Sequence, residues 1–139
     1  MSLGTLDHIA YAVRDTNESI ANFRALYPVV VQFRCYVKSQ DSYITFLHTP
    51  DGLGPKIEIV EPASPGSRVW GLVRENPCTI YHICYRVTDF YESFKRLRRL
   101  GWIALNRPFA VPDTSSELAS HLYHRSVGMI EIIGRNHVS

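Results

Sequence analysis

The feature that most restricts how this chain can fold is an internal repeat. His8-Ile9-Ala10-Tyr11-Ala12-Val13-Arg14-Asp15 returns 74 residues later as His82-Ile83-Cys84-Tyr85-Arg86-Val87-Thr88-Asp89, keeping His-Ile-x-Tyr-x-Val-x-Asp. The match continues without a gap, with Glu18 on Glu92, Ser19 on Ser93, Phe23 on Leu97, Arg24 on Arg98 and Leu26 on Leu100. Further along, Ile57-Glu58-Ile59 returns as Ile130-Glu131-Ile132. A repeat of this length means two copies of one structural unit.

Each copy reads as strand, helix, strand, strand, strand. Residues 6–14 alternate, with Ile9, Tyr11 and Val13 on one face and His8, Ala10 and Ala12 on the other. Asp15 with Glu18 three residues on forms a capping box, Ile20, Phe23 and Tyr27 follow at helical spacing, and Pro28 stops the helix. Strands are expected over 29–37, 43–48 and 56–60. A polar turn, Lys38-Ser39-Gln40-Asp41, separates the first two, and Pro50-Asp51-Gly52-Leu53-Gly54-Pro55 separates the last two. Residues 63–78 are a connector holding one apolar turn at Val69-Trp70-Gly71-Leu72-Val73, which Trp70 is expected to pack down. The second copy has a strand over 80–87. Asp89 and Glu92 cap a helix with the apolar stripe Phe90, Phe94, Leu97 and Leu100, ended by Gly101. A strand over 102–106, a loop over 108–116 holding Asp113, and strands over 119–124 and 128–133 complete it. The expected class is α+β: two tandem βαβββ modules, 5–62 and 79–134, in one domain.

Composition removes several function classes. A net charge of +2 on 139 residues argues against nucleic acid and acidic membrane surfaces as partners. The run Lys95-Arg96-Leu97-Arg98-Arg99 fits the solvated face of a helix. Cys35, Cys78 and Cys84 have no CxxC spacing and fit reduced thiols, and no apolar run or signal peptide is evident, so the cytoplasm is the expected location.

Strand alternation turns His8, Glu58, His82 and Glu131 away from their flanking isoleucines, onto the face opposite each module's helix. A carboxylate buried there requires a partner. Two imidazoles and two carboxylates brought together from two related modules suit a divalent cation: Zn, Ni, Co, Mn or Fe. Four protein ligands on a six-coordinate ion leave room for substrate oxygens. His48, His121, His124 and His137 fit structural roles better.

At these residues the chain resembles the vicinal oxygen chelate superfamily, the glyoxalase/bleomycin-resistance fold, and within it most closely the methylmalonyl-CoA epimerase family. The matching pieces are Leu6-Asp7-His8-Ile9-Ala10, the run Lys56 to Pro62, Ser64-Pro65 leading to Asn76-Pro77, Tyr81-His82-Ile83-Cys84 and Gly128-Met129-Ile130-Glu131. The resemblance implies a cupped mixed sheet with helices on its outer face. It also implies metal ligands at the positions of His8, Glu58, His82 and Glu131. The family's catalytic glutamate, entering the strand that matches Tyr43 to Leu47, has no counterpart in Lys38-Ser39-Gln40-Asp41. Asp41 is the nearest acid there.

The resulting expectation is a metal-dependent isomerase or epimerase that stabilises the enolate of a small carbonyl or acyl-thioester substrate such as an acyl-CoA. Asp41 or Glu131 would carry the proton. The alternatives are glyoxalase-type or dioxygenase chemistry on the same ions, or a binding protein without chemistry. An exposed sheet edge in each module leaves room for a homodimer.

Overall fold

The computed structural model describes residues 4–111, 114 and 116–137; Asp113 lies outside the described residues. In chain order the elements are β1 (Thr5–Val13), α1 (Thr16–Leu26), β2 (Val30–Val37), a short 3₁₀ turn (Lys38–Gln40), β3 (Ser42–His48), β4 (Lys56–Pro62), α2 (Trp70–Glu75), β5 (Cys78–Val87), α3 (Phe90–Arg99), β6 (Ile103–Ala104), β7 (Phe109–Ala110), β8 (Glu117–His124) and β9 (Gly128–Arg135). The chain is α+β and divides into two compact units. One is His8–Tyr81; the other takes His82 onward with the N-terminal stretch ending at Asp7.

In the His8–Tyr81 unit, β1 pairs parallel with β4, and β4, β3 and β2 follow as antiparallel neighbours. Alternation sorts the side chains as the sequence implied. Ile9, Tyr11 and Val13 pack with Ile20 and Phe23 of α1, over Leu47, Ile57 and Ile59. Asp15 caps α1 by accepting from the Glu18 backbone N–H at 3.0 Å, and the Glu61 carboxylate accepts from Thr16 N–H at 2.7 Å. Acceptors there satisfy orphan donors and complement the helix dipole. On the opposite face Ala12, Ile44 and Val60 are covered by Val69 and Val73. Trp70 itself is substantially exposed, so the expectation that it anchors the connector is corrected: the two valines on the inward side of α2 do so.

In the other unit, β5 pairs parallel with β9, β9 pairs antiparallel with β8, and both β6 and β7 pair with β8. The capping arrangement recurs, Asp89 accepting from Glu92 N–H at 3.0 Å, and Gly101 ends the helix region at φ +94°. Phe90 is fully buried and packs with Phe94, Leu97, Leu122, Ile130 and Ile132. Leu100, however, is exposed and leaves the expected stripe, because the helix closes at that residue. The strand expected over 102–106 shrinks to two residues, and a further two-residue strand forms inside the segment read as loop. Arg86 joins Asp7 (Nε to Oδ1, 3.1 Å) and the Glu117 carboxylate. Burial alone would lower the Arg86 pKa; hydrogen bonds to Glu117 and Asp7 outweigh it and hold the guanidinium above its ordinary value.

The β5–β9 pairing leaves no room at Gly134. A Cβ built there would lie 2.6 Å from the Val87 carbonyl oxygen, in a strand residue registered against Val87. Gly134→Ala is therefore expected to cost roughly 1–3 kcal/mol. A lowered denaturant midpoint at unchanged slope would show it, and an unchanged midpoint would contradict the packing.

Candidate metal centre

Each unit builds the same small constellation. In the first, Ala10 of β1 lies opposite Glu58 of β4, and His8 precedes Ala10 by one full pleat, on the same face. His8 is buried, and its Nε2 lies 3.9 Å from Glu58 Oε1. Across the β3–β4 pairing, Phe46 stands directly opposite Glu58 and meets the His8 ring edge-on at 5.4 Å. In the second unit, Cys84 of β5 lies opposite Glu131 of β9, and His82 precedes Cys84 by one pleat. His82 Nε2 lies 3.7 Å from Glu131 Oε1. Here the residue opposite Glu131 on β8 is His121, whose Nε2 is 3.0 Å from Glu131 Oε2. The fully buried Ala10 and Cys84 keep both stations free of bulk.

Gaps of 3.9 and 3.7 Å are longer than a hydrogen bond. Two coordination bonds of about 2.1 Å span up to about 4.2 Å, so an imidazole nitrogen and a carboxylate oxygen at these separations can share one cation. The donor set is mixed nitrogen and oxygen, which fits a borderline or hard divalent ion. The residues present fit such an ion.

Each unit thus brings its own expected histidine to its own expected glutamate. Asp41 is placed elsewhere. It ends the 3₁₀ turn in the left-handed region (φ 47°, ψ 49°) and accepts from Tyr36 Oη at 3.0 Å and from Ser64 Oγ. The hydrogen bond to Asp41 also raises the Tyr36 pKa. Its neighbour Ser42 pairs with Pro62, whereas Phe46 pairs with Glu58. Those four strand residues separate Asp41 from Glu58 by about 13 Å along the hairpin.

The remaining histidines divide. His48 Nδ1 contacts the Thr49 carbonyl at 2.7 Å, His124 Nδ1 contacts Ser126 Oγ at 2.7 Å, and His137 Nε2 lies 2.9 Å from the Thr88 carbonyl. The first two bonds are local and the third joins residues 49 apart; all fit the structural roles expected from the sequence. His121 is the exception: the sequence reading set it aside, and it sits against Glu131. The turn at 125–127 could have found it, because the hairpin it closes fixes His121 opposite Glu131.

Comparison with known proteins identifies the family. A family model described as the Glyoxalase/Bleomycin resistance protein/Dioxygenase superfamily matches residues 7–119. The chain belongs to that superfamily. A curated relative, the ethylmalonyl-CoA/methylmalonyl-CoA epimerase of Cereibacter sphaeroides, is 31% identical over 100 residues, which are 71% of this chain and 72% of the relative. That similarity marks the chain as an enzyme of the epimerase type within the glyoxalase superfamily. Solved structures share the fold. A Streptomyces coelicolor methylmalonyl-CoA epimerase variant in complex with 2-nitronate-propionyl-CoA aligns with a TM-score of 0.79 at 20% identity, over 97% of this chain and 99% of its own. The Mycobacterium tuberculosis methylmalonyl-CoA epimerase aligns with a TM-score of 0.80 at 18% identity, over 95% and 88%. Among the described residues, no helix is long and apolar enough to cross a membrane.

The bonds of Asp41 make its replacement a test of structure. Asp41→Ala removes the shared acceptor of Tyr36 and Ser64 and puts a β-carbon without local hydrogen bonds at positive φ. It is expected to lower stability by about 1–2 kcal/mol, read by thermal or denaturant unfolding. Unchanged stability would mean that the two hydrogen bonds carry nothing.

Proposed function

We propose that the chain is a metal-dependent epimerase acting on an acyl-CoA thioester with an acidic α-proton, of the methylmalonyl or ethylmalonyl kind. One divalent cation would be held jointly by His8, Glu58, His82 and Glu131, with the two units acting as modules of a single domain. The observation that carries this reading is the repeated His–Glu station, present in each unit at nearly the same spacing. Similarity to a curated epimerase supports the substrate class.

When bound, the cation would supply Lewis acidity for the negative charge that develops as an α-proton leaves a carbonyl compound. The chain's own residues do the rest. His8 and His82 are buried nitrogen donors, carried on paired strands. Glu58 has Phe46 beside it, an apolar wall that keeps water from that side and sustains electrostatic interactions there. Glu131 has two differently placed oxygens, Oε1 toward His82 and Oε2 toward His121. Glu131, when loosened from the ion, is the carboxylate assigned to proton transfer. Asp41 is left out of the transfer, since its carboxylate is engaged by Tyr36 and Ser64 at the far end of the β3–β4 hairpin. Return of a proton from water to the opposite face inverts the centre.

Purified protein supplied with a divalent ion is expected to bind about one equivalent and to move deuterium from D₂O into methylmalonyl-CoA or ethylmalonyl-CoA at the α-carbon. His82→Ala should lose the ion by elemental analysis and lower exchange by at least about 100-fold. No exchange into either thioester by the metal-loaded protein would refute the proposal.

A further inference from the structure

We infer that Lys56 selects an acidic acyl group, its ammonium receiving the free carboxylate that a malonyl-type thioester carries on its α-carbon. The inference rests on the epimerase reading above and adds the residue that would recognise the substrate's own charge.

Lys56 opens β4 and faces the same side of the sheet as Glu58, one pleat further on. Across the parallel pairing it stands directly opposite His8, so it borders both members of the first His–Glu station. Strand β4 is paired on both sides, with β1 and with β3, so this lysine does not sit on a free edge. It is half-buried, and its Nζ lies 5.9 Å from the centroid of the Phe46 ring. That ring also meets His8 edge-on and stands opposite Glu58. A distance of 5.9 Å is the outer limit of a cation–π contact, which holds the ammonium only weakly. Among the described residues no carboxylate pairs with Nζ, and Glu58 Oε1 faces His8 instead.

The internal repeat shows that the fold does not need a charge here. Pro55-Lys56-Ile57-Glu58 corresponds to Gly128-Met129-Ile130-Glu131, so β9 carries methionine at the matching place. Both strands run parallel to their histidine-bearing partners in the same way, yet only one sets a cation beside its station. A lysine offers three donors on a flexible stem that can swing from a ring face to an anion.

Charge balance gives the ammonium its use. A divalent ion and the two glutamates that would hold it sum to no net charge. A malonyl-type acyl group brings one negative charge in its carboxylate, and departure of the α-proton adds a second. Lys56 supplies a positive charge to meet them, and a charge-assisted hydrogen bond to a carboxylate is stronger than a neutral one. An acyl group without a carboxylate gains nothing from it. Lys56 is therefore a specificity-determining residue.

Two matched thioesters test the inference: methylmalonyl-CoA, and isobutyryl-CoA, in which a methyl group replaces the carboxylate. Lys56→Met installs the residue that the repeat itself carries. Isothermal titration of the Co²⁺-loaded protein is expected to show methylmalonyl-CoA binding weakened about 10–100-fold in Lys56→Met and largely kept in Lys56→Arg. Isobutyryl-CoA binding should be unchanged in Lys56→Met, which also shows that the variant is folded. The methylmalonyl thioester of N-acetylcysteamine keeps the carboxylate but lacks the CoA phosphates, and it should show the same loss. A loss that isobutyryl-CoA shares, a loss confined to the CoA thioesters, or no loss at all would overturn the inference. Carboxylate-selective loss in a protein that exchanges no deuterium would uphold the inference and refute the epimerase activity alone. Failure of the unsubstituted protein to bind methylmalonyl-CoA would refute both.

Discussion

Burying a carboxylate is the costly act in this fold, and both units commit it. Glu58 and Glu131 sit on strands whose neighbouring side chains are core isoleucines, with only 14% and 12% of their side chains exposed. An ionised carboxylate at such a site costs several kcal/mol unless charge or strong hydrogen bonds meet it. A protein that needed only a stable sheet would have placed an apolar residue at both positions. In the proposed reading, the imidazoles one pleat away on the paired strand, buried themselves, complete a donor set for a cation. Much of the surrounding structure serves to hold these stations, including the capped helices on the other face and the small residues at Ala10 and Cys84.

Duplication explains why the stations are alike, and divergence explains where they differ. The parallel pairings β1–β4 and β5–β9 put His and Glu in the same relation twice, through Ala10 opposite Glu58 and Cys84 opposite Glu131. The antiparallel partner of each glutamate has gone separate ways, to Phe46 in one unit and His121 in the other. An apolar wall raises the electrostatic stakes for Glu58. The His121 ring lies 3.0 Å from one oxygen of Glu131. Two copies of one carboxylate thereby have different neighbours, in keeping with the proposed reaction, in which one acid stays a ligand and the other also moves a proton.

The strand and helix order was legible because the period-2 and helical patterns are clean and α1 and α3 each start at an Asp-x-x-Glu cap. The face on which each His and Glu would lie followed from alternation alone. The misreadings have a common cause, in that they depended on pairing partners which a linear pattern does not reveal. Residues 102–106 carry strand-like composition, yet only Ile103 and Ala104 pair with β8 as a strand, and Phe109-Ala110 pair with β8 from within an apparent loop. Trp70 looked like the anchor of the connector by size, but the one-turn helix points Val69 and Val73 inward. His121 comes to lie beside Glu131 through the β8–β9 register, which composition does not announce. Asp41 was legible as an acid and a turn residue; its bonds to Tyr36 and Ser64 were not.

The account stands on the claim that two half-sites serve one ion. X-ray absorption at the metal edge of the cobalt-loaded protein counts the imidazoles around that ion. Two imidazoles with oxygen donors completing the shell are expected from His8 and His82 acting together. A single imidazole per ion would show each unit binding on its own, and three would bring His121 into the coordination shell; either result would contradict the account.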